Sequence, residues 1–239
     1  DLPSLRRRQR QMCIRDRADV TKMPGHFGWN YLWKYHKTFS MLEDSIGYIC
    51  PNKLSKEEEI PEISNGLKKN RGLIIDLRYY PSQDFNEFVS QYIVPDSVKY
   101  TVRFTYPDLA LPGVFYARDY SYPTYKTEKY NAPIIIMVNE GTQSYGETSV
   151  QKIQNNPYTI TIGSQSAGAN GNISKFTLPR GILGAFSGLG WYYPDGWVVN
   201  RQGVKIDHEI RPTLEGIRDG RDEMLEAALS LIEEKTEEE

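Results

Sequence analysis

Residues 132–147 read APIIIMVNEGTQSYGE. Five apolar residues in a row, Ile134 to Val138, show no alternation and stop at Asn139, as in a strand buried on both faces. Gly141 then permits a sharp turn. Ser144-Tyr145-Gly146-Glu147 has the S-x-x-E spacing of a capping box, so a helix is expected over 144–156, closing at Asn156-Pro157. A buried strand that turns directly into a helix is the repeating unit of an α/β domain with a largely parallel sheet.

The same grammar extends in both directions. Upstream, SIGYIC (45–50) reads as a strand, residues 55–69 as a helix and GLIIDLR (72–78) as a second buried strand. Asp84 is placed to cap a helix holding Phe85, Phe88, Val89 and Tyr92, and SVKYTVRF (97–104) alternates like a strand. Residues 105–131, rich in Tyr, Pro, Asp and Lys, suggest a long surface excursion. Downstream, YTITIG (158–163) is a further strand, with short ones near 171–178, 189–193 and 197–200. The last two are joined by the turn signal Pro194-Asp195-Gly196. A final helix is expected from about 220 to 233, with residues 234–239 a solvated acidic tail.

Composition limits what such a domain does. The chain has 239 residues, 39% hydrophobic, with a formal charge of −2, which offers no basic excess for nucleic acid. No apolar run approaches the length of a membrane span. Two cysteines, Cys13 and Cys50, make no disulfide framework, no Cys/His spacing suggests a metal site, and no Gly-rich dinucleotide fingerprint follows a strand. The reading therefore includes neither cofactor nor metal.

Residues 1–17 (DLPSLRRRQRQMCIRDR) stand apart. Six of the 29 basic residues and two of the 31 acidic ones lie there, so the remainder carries −6. The string SLRRRQRQMCIRD resembles translated sequencing-adapter read-through, and it is set aside as an extraneous arm. Residues 18–44, with Trp29 and Trp33, read as the remnant of a preceding element, and 45–233 as the catalytic core.

Ser144 at a strand-to-helix junction has an exposed hydroxyl beside the free Tyr145 N–H. An acyl-transfer nucleophile needs this arrangement, because helix-start N–H groups can hold an oxyanion. A simple helix cap uses the same residues. The turn after GLIIDLR, Tyr79-Tyr80-Pro81-Ser82-Gln83, lies at the carboxyl end of a parallel strand, where ligands gather, and could supply a second N–H. Asp76 and Arg78 read as a structural pair. Asn139 could steady the turn or touch substrate, and 105–131 could line a peptide groove.

Taken together, GLIIDLRYYPS, IIIMVNEGTQSYGE, TIGSQSAGANGNI, LGWYYPDG and DHEIRPTLEGIRDGRDEMLEAAL resemble, in this order, the carboxyl-terminal-processing (tail-specific) serine proteases of the Clp-protease/crotonase-like superfamily. The resemblance implies Ser144 as nucleophile and the N–H groups of Tyr145 and Ser82 as oxyanion donors. It also implies Glu147 as a network acid, protein or peptide substrates, and an envelope, periplasmic or secreted location. Two departures stand out. The family's Gly-Gly pair is Ser82-Gln83 here, and its dyad lysine, twenty-five residues after the serine, is Ala169. Lys175 lies six residues too far along to take the role. Tricorn-like relatives use a histidine from a preceding domain; His26, His36 and His208 are weak candidates, and a base encoded upstream of Ala18 is expected instead. Without a base, the alternative is a non-catalytic peptide-binding module on the same fold. A crotonase-like acyl-CoA enzyme has no supporting signature.

Overall fold

The computed structural model describes residues 37–42, 45–54, 59–95, 102–120, 125 and 128–237. The chain divides into two units, 1–36 and 37–239. The first unit lies outside the described residues, and with it the expected arm 1–17, His26 and His36. In the second unit the strands are β1 (Phe39–Met41), β2 (Ile46–Ile49), β3 (Gly72–Asp76), β4 (Val102–Pro107), β5 (Phe115–Tyr120) and β6 (Ile134–Val138). They continue as β7 (Thr159–Gly163), β8 (Ile173–Leu178), β9 (Ile182–Ser187), β10 (Gly190–Tyr192) and β11 (His208–Glu209). The helices are α1 (Ile60–Leu67), α2 (Phe85–Phe88, continued by a π-helical turn over Val89–Ile93), α3 (Tyr145–Ile153), α4 (Leu214–Asp219) and α5 (Glu223–Glu237).

The central sheet has the order β1-β2-β3-β6-β7-β11. Every pairing in it is parallel except that of β1 with β2. The expected α/β class with a largely parallel sheet is the class observed. The two apolar runs that suggested it, β3 and β6, are neighbours and buried along their whole length. Their side chains alternate between two layers. Leu73, Ile75, Ile134, Ile136 and Val138 join Ile63, Phe85, Phe88, Val150 and Ile153 in the main core. On the other side α5, with Met224, Leu225, Ala228 and Ile232 buried, packs on β3, β6 and β7.

At the carboxyl end of β3 the DLR segment locks this frame. Arg78 bonds Asp76 through Nε (2.9 Å) and Nη2 (2.7 Å), and Asp222 through Nη1 (2.9 Å) and Nη2 (2.8 Å). Tyr48 donates its hydroxyl to Asp76 Oδ2 at 2.7 Å. Burial works against the guanidinium charge, but the two carboxylates more than offset it and hold the Arg78 pKa well above its ordinary value. Asp76 and Arg78 are the structural pair expected.

Three expectations are corrected. The sheet begins at Phe39, ahead of the strand expected at Ser45. The excursion 105–131 contains an ordered hairpin: β4 and β5 pair from Val102↔Tyr120 to Pro107↔Phe115, and β10 completes their small sheet. Its alternating Tyr, Phe, Thr and Arg residues are strand formers, which outweighed the Pro and Asp at its bend. The acidic tail is helical as far as Glu237, because Glu and Lys are good helix formers once α5 is docked. The arm formed by β8 and β9 was half anticipated, as a strand near 171–178; β9 was not.

Candidate active site

The turn between β6 and α3 is built by three short-range bonds. Asn139 Oδ1 accepts from the Gly141 N–H (2.9 Å), the Asn139 N–H donates to Thr142 Oγ1 (3.0 Å), and the Thr142 N–H donates to Asn139 O (2.9 Å). The buried Thr142 hydroxyl then donates to Leu77 O at 2.8 Å, fastening the turn to the end of β3. Gly141 is required here: a Cβ would lie 2.8 Å from Arg78 O. Of the two roles open to Asn139, the bonds support steadying the turn.

This turn delivers Ser144 at φ 49°, ψ −112°, directly before the first residue of α3. A non-glycine residue seldom adopts positive φ, and holding it there costs about 1–3 kcal/mol. Strained strand-to-helix turns of this kind present a serine hydroxyl outward in hydrolases. Ser144 is half-buried, and among the described residues no backbone acceptor takes the Tyr145 N–H. The capping-box pairing expected from S-x-x-E is present, and its well-formed half is the Ser144 N–H donating to Glu147 Oε2 at 3.1 Å.

Glu147 does more than cap. It is fully buried, and its two oxygens accept four bonds. Oε2 takes the Ser144 and Ala169 N–H groups, both at 3.1 Å; Oε1 takes Ser166 Oγ and the Gly168 N–H, both at 2.7 Å. Burial raises its pKa, and these bonds oppose the rise without cancelling it. One carboxylate thus joins the helix start to the loop after β7. Gly163 lets that loop leave the strand, since at φ +128° a Cβ would strike Val138 O at 1.9 Å. The loop is also pinned by the Ala167 N–H donating to Thr142 O (2.9 Å) and the Val204 N–H donating to Ser166 Oγ (3.0 Å).

The turn 79–83 forms the opposite wall. Tyr145 donates its hydroxyl to Gln83 O at 2.9 Å, which brings the wall to the helix start. The Ser82 N–H, however, donates to Pro51 O at 2.8 Å, so in this structure it is not aimed at an open position. The Tyr79 hydroxyl and Ser82 Oγ are buried without hydrogen-bond partners among the described residues.

Other candidates are not brought to Ser144. Lys175 lies on the exposed β8 and His208 on the exposed β11. Lys152 is buried, with its Nζ on Asn86 O (2.9 Å) and Ser90 Oγ, and burial lowers its pKa to about 8. Eight residues, about 12 Å of helix, separate it from Ser144. Among the described residues no cluster of three His, Cys, Asp or Glu side chains is placed to hold a metal ion. Sequence reasoning missed Thr142, Ser166 and Pro51; only Thr142, inside the key block, carried any local signal.

Solved structures share this fold. A candidate peptidase from Parabacteroides merdae ATCC 43184 matches with TM-score 0.74 at 20% identity, covering 87% of this chain and 71% of that one. A lipoprotein from Streptococcus agalactiae matches with TM-score 0.56 at 19% identity, covering 82% and 69%. Mature CPAF complexed with lactacystin matches with TM-score 0.58 at 14% identity; 79% of this chain spans 52% of that one. A search of curated proteins gives no match. The model of Peptidase family S41 matches residues 45–210, more than half of the chain and the whole of the site just described. On that match over more than half of its length, this chain belongs to peptidase family S41, whose general chemistry is peptide-bond hydrolysis.

Proposed function

We propose that the chain is the catalytic core of a tail-specific-type serine endopeptidase acting through an acyl-enzyme on Ser144. The observation that carries this reading is the strained positive-φ backbone of Ser144 at the start of α3, beside the Tyr145 N–H. In the forward step Ser144 Oγ bonds to the substrate carbonyl carbon while its proton passes to a base. The carbonyl oxygen becomes an oxyanion held by the Tyr145 N–H. The C–N bond then breaks, the leaving amine takes the proton, and water hydrolyses the ester by the same route in reverse. Ser82, the second donor of this reading, has to release Pro51 O before the hole is complete. Glu147 acts as a positioning group that holds Ser144 and the 166–169 loop together.

Among the described residues no base is brought to Ser144. Position 169 is Ala, and the reading assigns the proton acceptor to sequence upstream of Ala18, with this chain a weak enzyme on its own. By the family resemblance the substrates are proteins or peptides and the location is the cell envelope; the lipoprotein among its structural neighbours is consistent with that. No described helix is long and apolar enough to cross a membrane.

A serine-directed fluorophosphonate tests the assignment. Slow labelling confined to Ser144, absent in Ser144→Ala, is expected, with faster labelling once the upstream sequence is joined. Labelling that persists in Ser144→Ala would remove Ser144 as nucleophile. The second reading, a peptide-binding module without catalysis, rests on Ala169; it gains if neither chain labels while peptides still bind.

A further inference from the structure

The residue after Ser144 is a tyrosine, and the wall facing it carries another. The rings of Tyr80 and Tyr145 stack with centroids 6.5 Å apart and planes inclined by 29°. Tyr145 is half-buried, and its hydroxyl bond to Gln83 O fixes the ring's far end. Pro81 is a neighbour of Gly146, where a Cβ would sit 3.6 Å from Pro81 Cδ, in ordinary contact. Tyr80 nevertheless keeps 44% of its surface exposed. A half-exposed aromatic surface therefore stands beside the N–H that the peptidase reading assigns to the oxyanion.

We infer that Tyr80 and Tyr145 form an aromatic ledge that selects polypeptides with a bulky apolar side chain, aromatic first, beside the bond presented to Ser144. This rests on the peptidase reading for where the polypeptide lies. The chemistry follows from the pair itself. An incoming ring gains both apolar burial and offset stacking on Tyr80. Aromatic stacking on one exposed ring is worth about tenfold in affinity over alanine.

The test uses the Ser144→Ala chain, which holds peptides without cleaving them. Three end-blocked peptides that differ only at one central residue, Phe, Ala or Arg, are titrated by calorimetry. The Phe peptide is expected to bind about tenfold tighter than the Ala peptide. Adding Tyr80→Ala should bring the Phe peptide to the affinity of the Ala peptide and leave the latter unchanged, while Tyr80→Phe keeps the preference. Equal affinities, tighter binding of the Arg peptide, a preference that survives Tyr80→Ala, or no binding of any peptide would each overturn the ledge. If the preference is present but the parent chain and its upstream-extended form both fail to label at Ser144, the ledge stands and the peptidase reading falls.

Discussion

The two walls flanking Ser144 are built to opposite standards. On the side of the 164–171 loop no buried side-chain polar atom is left without a partner among the described residues: a single buried carboxylate takes four bonds, and Ser166 both donates to it and accepts from the Val204 N–H. On the side of the 79–83 turn two hydroxyls are buried without partners, and the one N–H expected to face substrate is held by Pro51 O. Satisfied buried networks are rigid, and orphaned groups raise the energy of the conformation that contains them. The loop wall is thus the fixed reference of the site. The turn wall is the side able to rearrange when substrate arrives.

The largest expected effect exploits the fixed wall. The Ser144 and Ala169 N–H groups share one oxygen of Glu147, so the backbone at position 169 lies close to that of the proposed nucleophile. Ala169→Lys is expected to raise the fluorophosphonate labelling rate of Ser144 by about 10²-fold or more, the range typical of a general base. An unchanged rate with an unchanged melting curve would show that the turn wall, not the missing base, limits the chemistry.

Breaking the fixed wall comes next. In Glu147→Gln an amide N–H₂ replaces one acceptor oxygen, so two of four bonds are lost and their donors face the amide N–H₂. A loss of about 1–3 kcal/mol by denaturant melt is expected. The pH dependence has the opposite sign from that of most carboxylates. Because burial raises the folded pKa of Glu147, its contribution is complete below the unfolded value of about 4.3 and is lost as pH rises through the folded one. Glu147→Gln should remove that decline; a decline that persists would locate it in another group.

The smallest effect is a paired comparison of serine deletions. Ser166→Ala breaks two bonds and should cost about 1–3 kcal/mol. Ser82→Ala removes a hydroxyl with no partner and should lie within about 0.5 kcal/mol of the parent, or above it. Equal losses at both positions, measured by the same melts, would abolish the distinction between the walls.

Legibility in the sequence followed the range of the interactions. The β3 and β6 runs, and the serine cap that follows β6, depend on neighbours within a few residues, and were readable from apolar runs and S-x-x-E spacing. Lys152 had no such signal, because its burial depends on Asn86 and Ser90 of a helix 62 to 66 residues away. The same holds for Pro51 and Ser82: a backbone carbonyl taking a backbone N–H leaves no trace in residue type. In the loop 164–171, Gly168 and Ala169 meet Glu147 through main-chain groups, so the sequence shows only small residues. The β8–β9 arm was half missed because neither strand has a buried face to impose alternation.

The backbone of Ser144 carries a consequence for any effort to make this protein more robust. At φ 49° a glycine would sit without penalty, so selection for melting temperature alone favours losing the hydroxyl at that position. With Ser144 as the proposed nucleophile, thermal screening and activity screening pull position 144 in opposite directions. A stabilised variant gains nothing of use unless its improvement is shown to come from somewhere else in the chain.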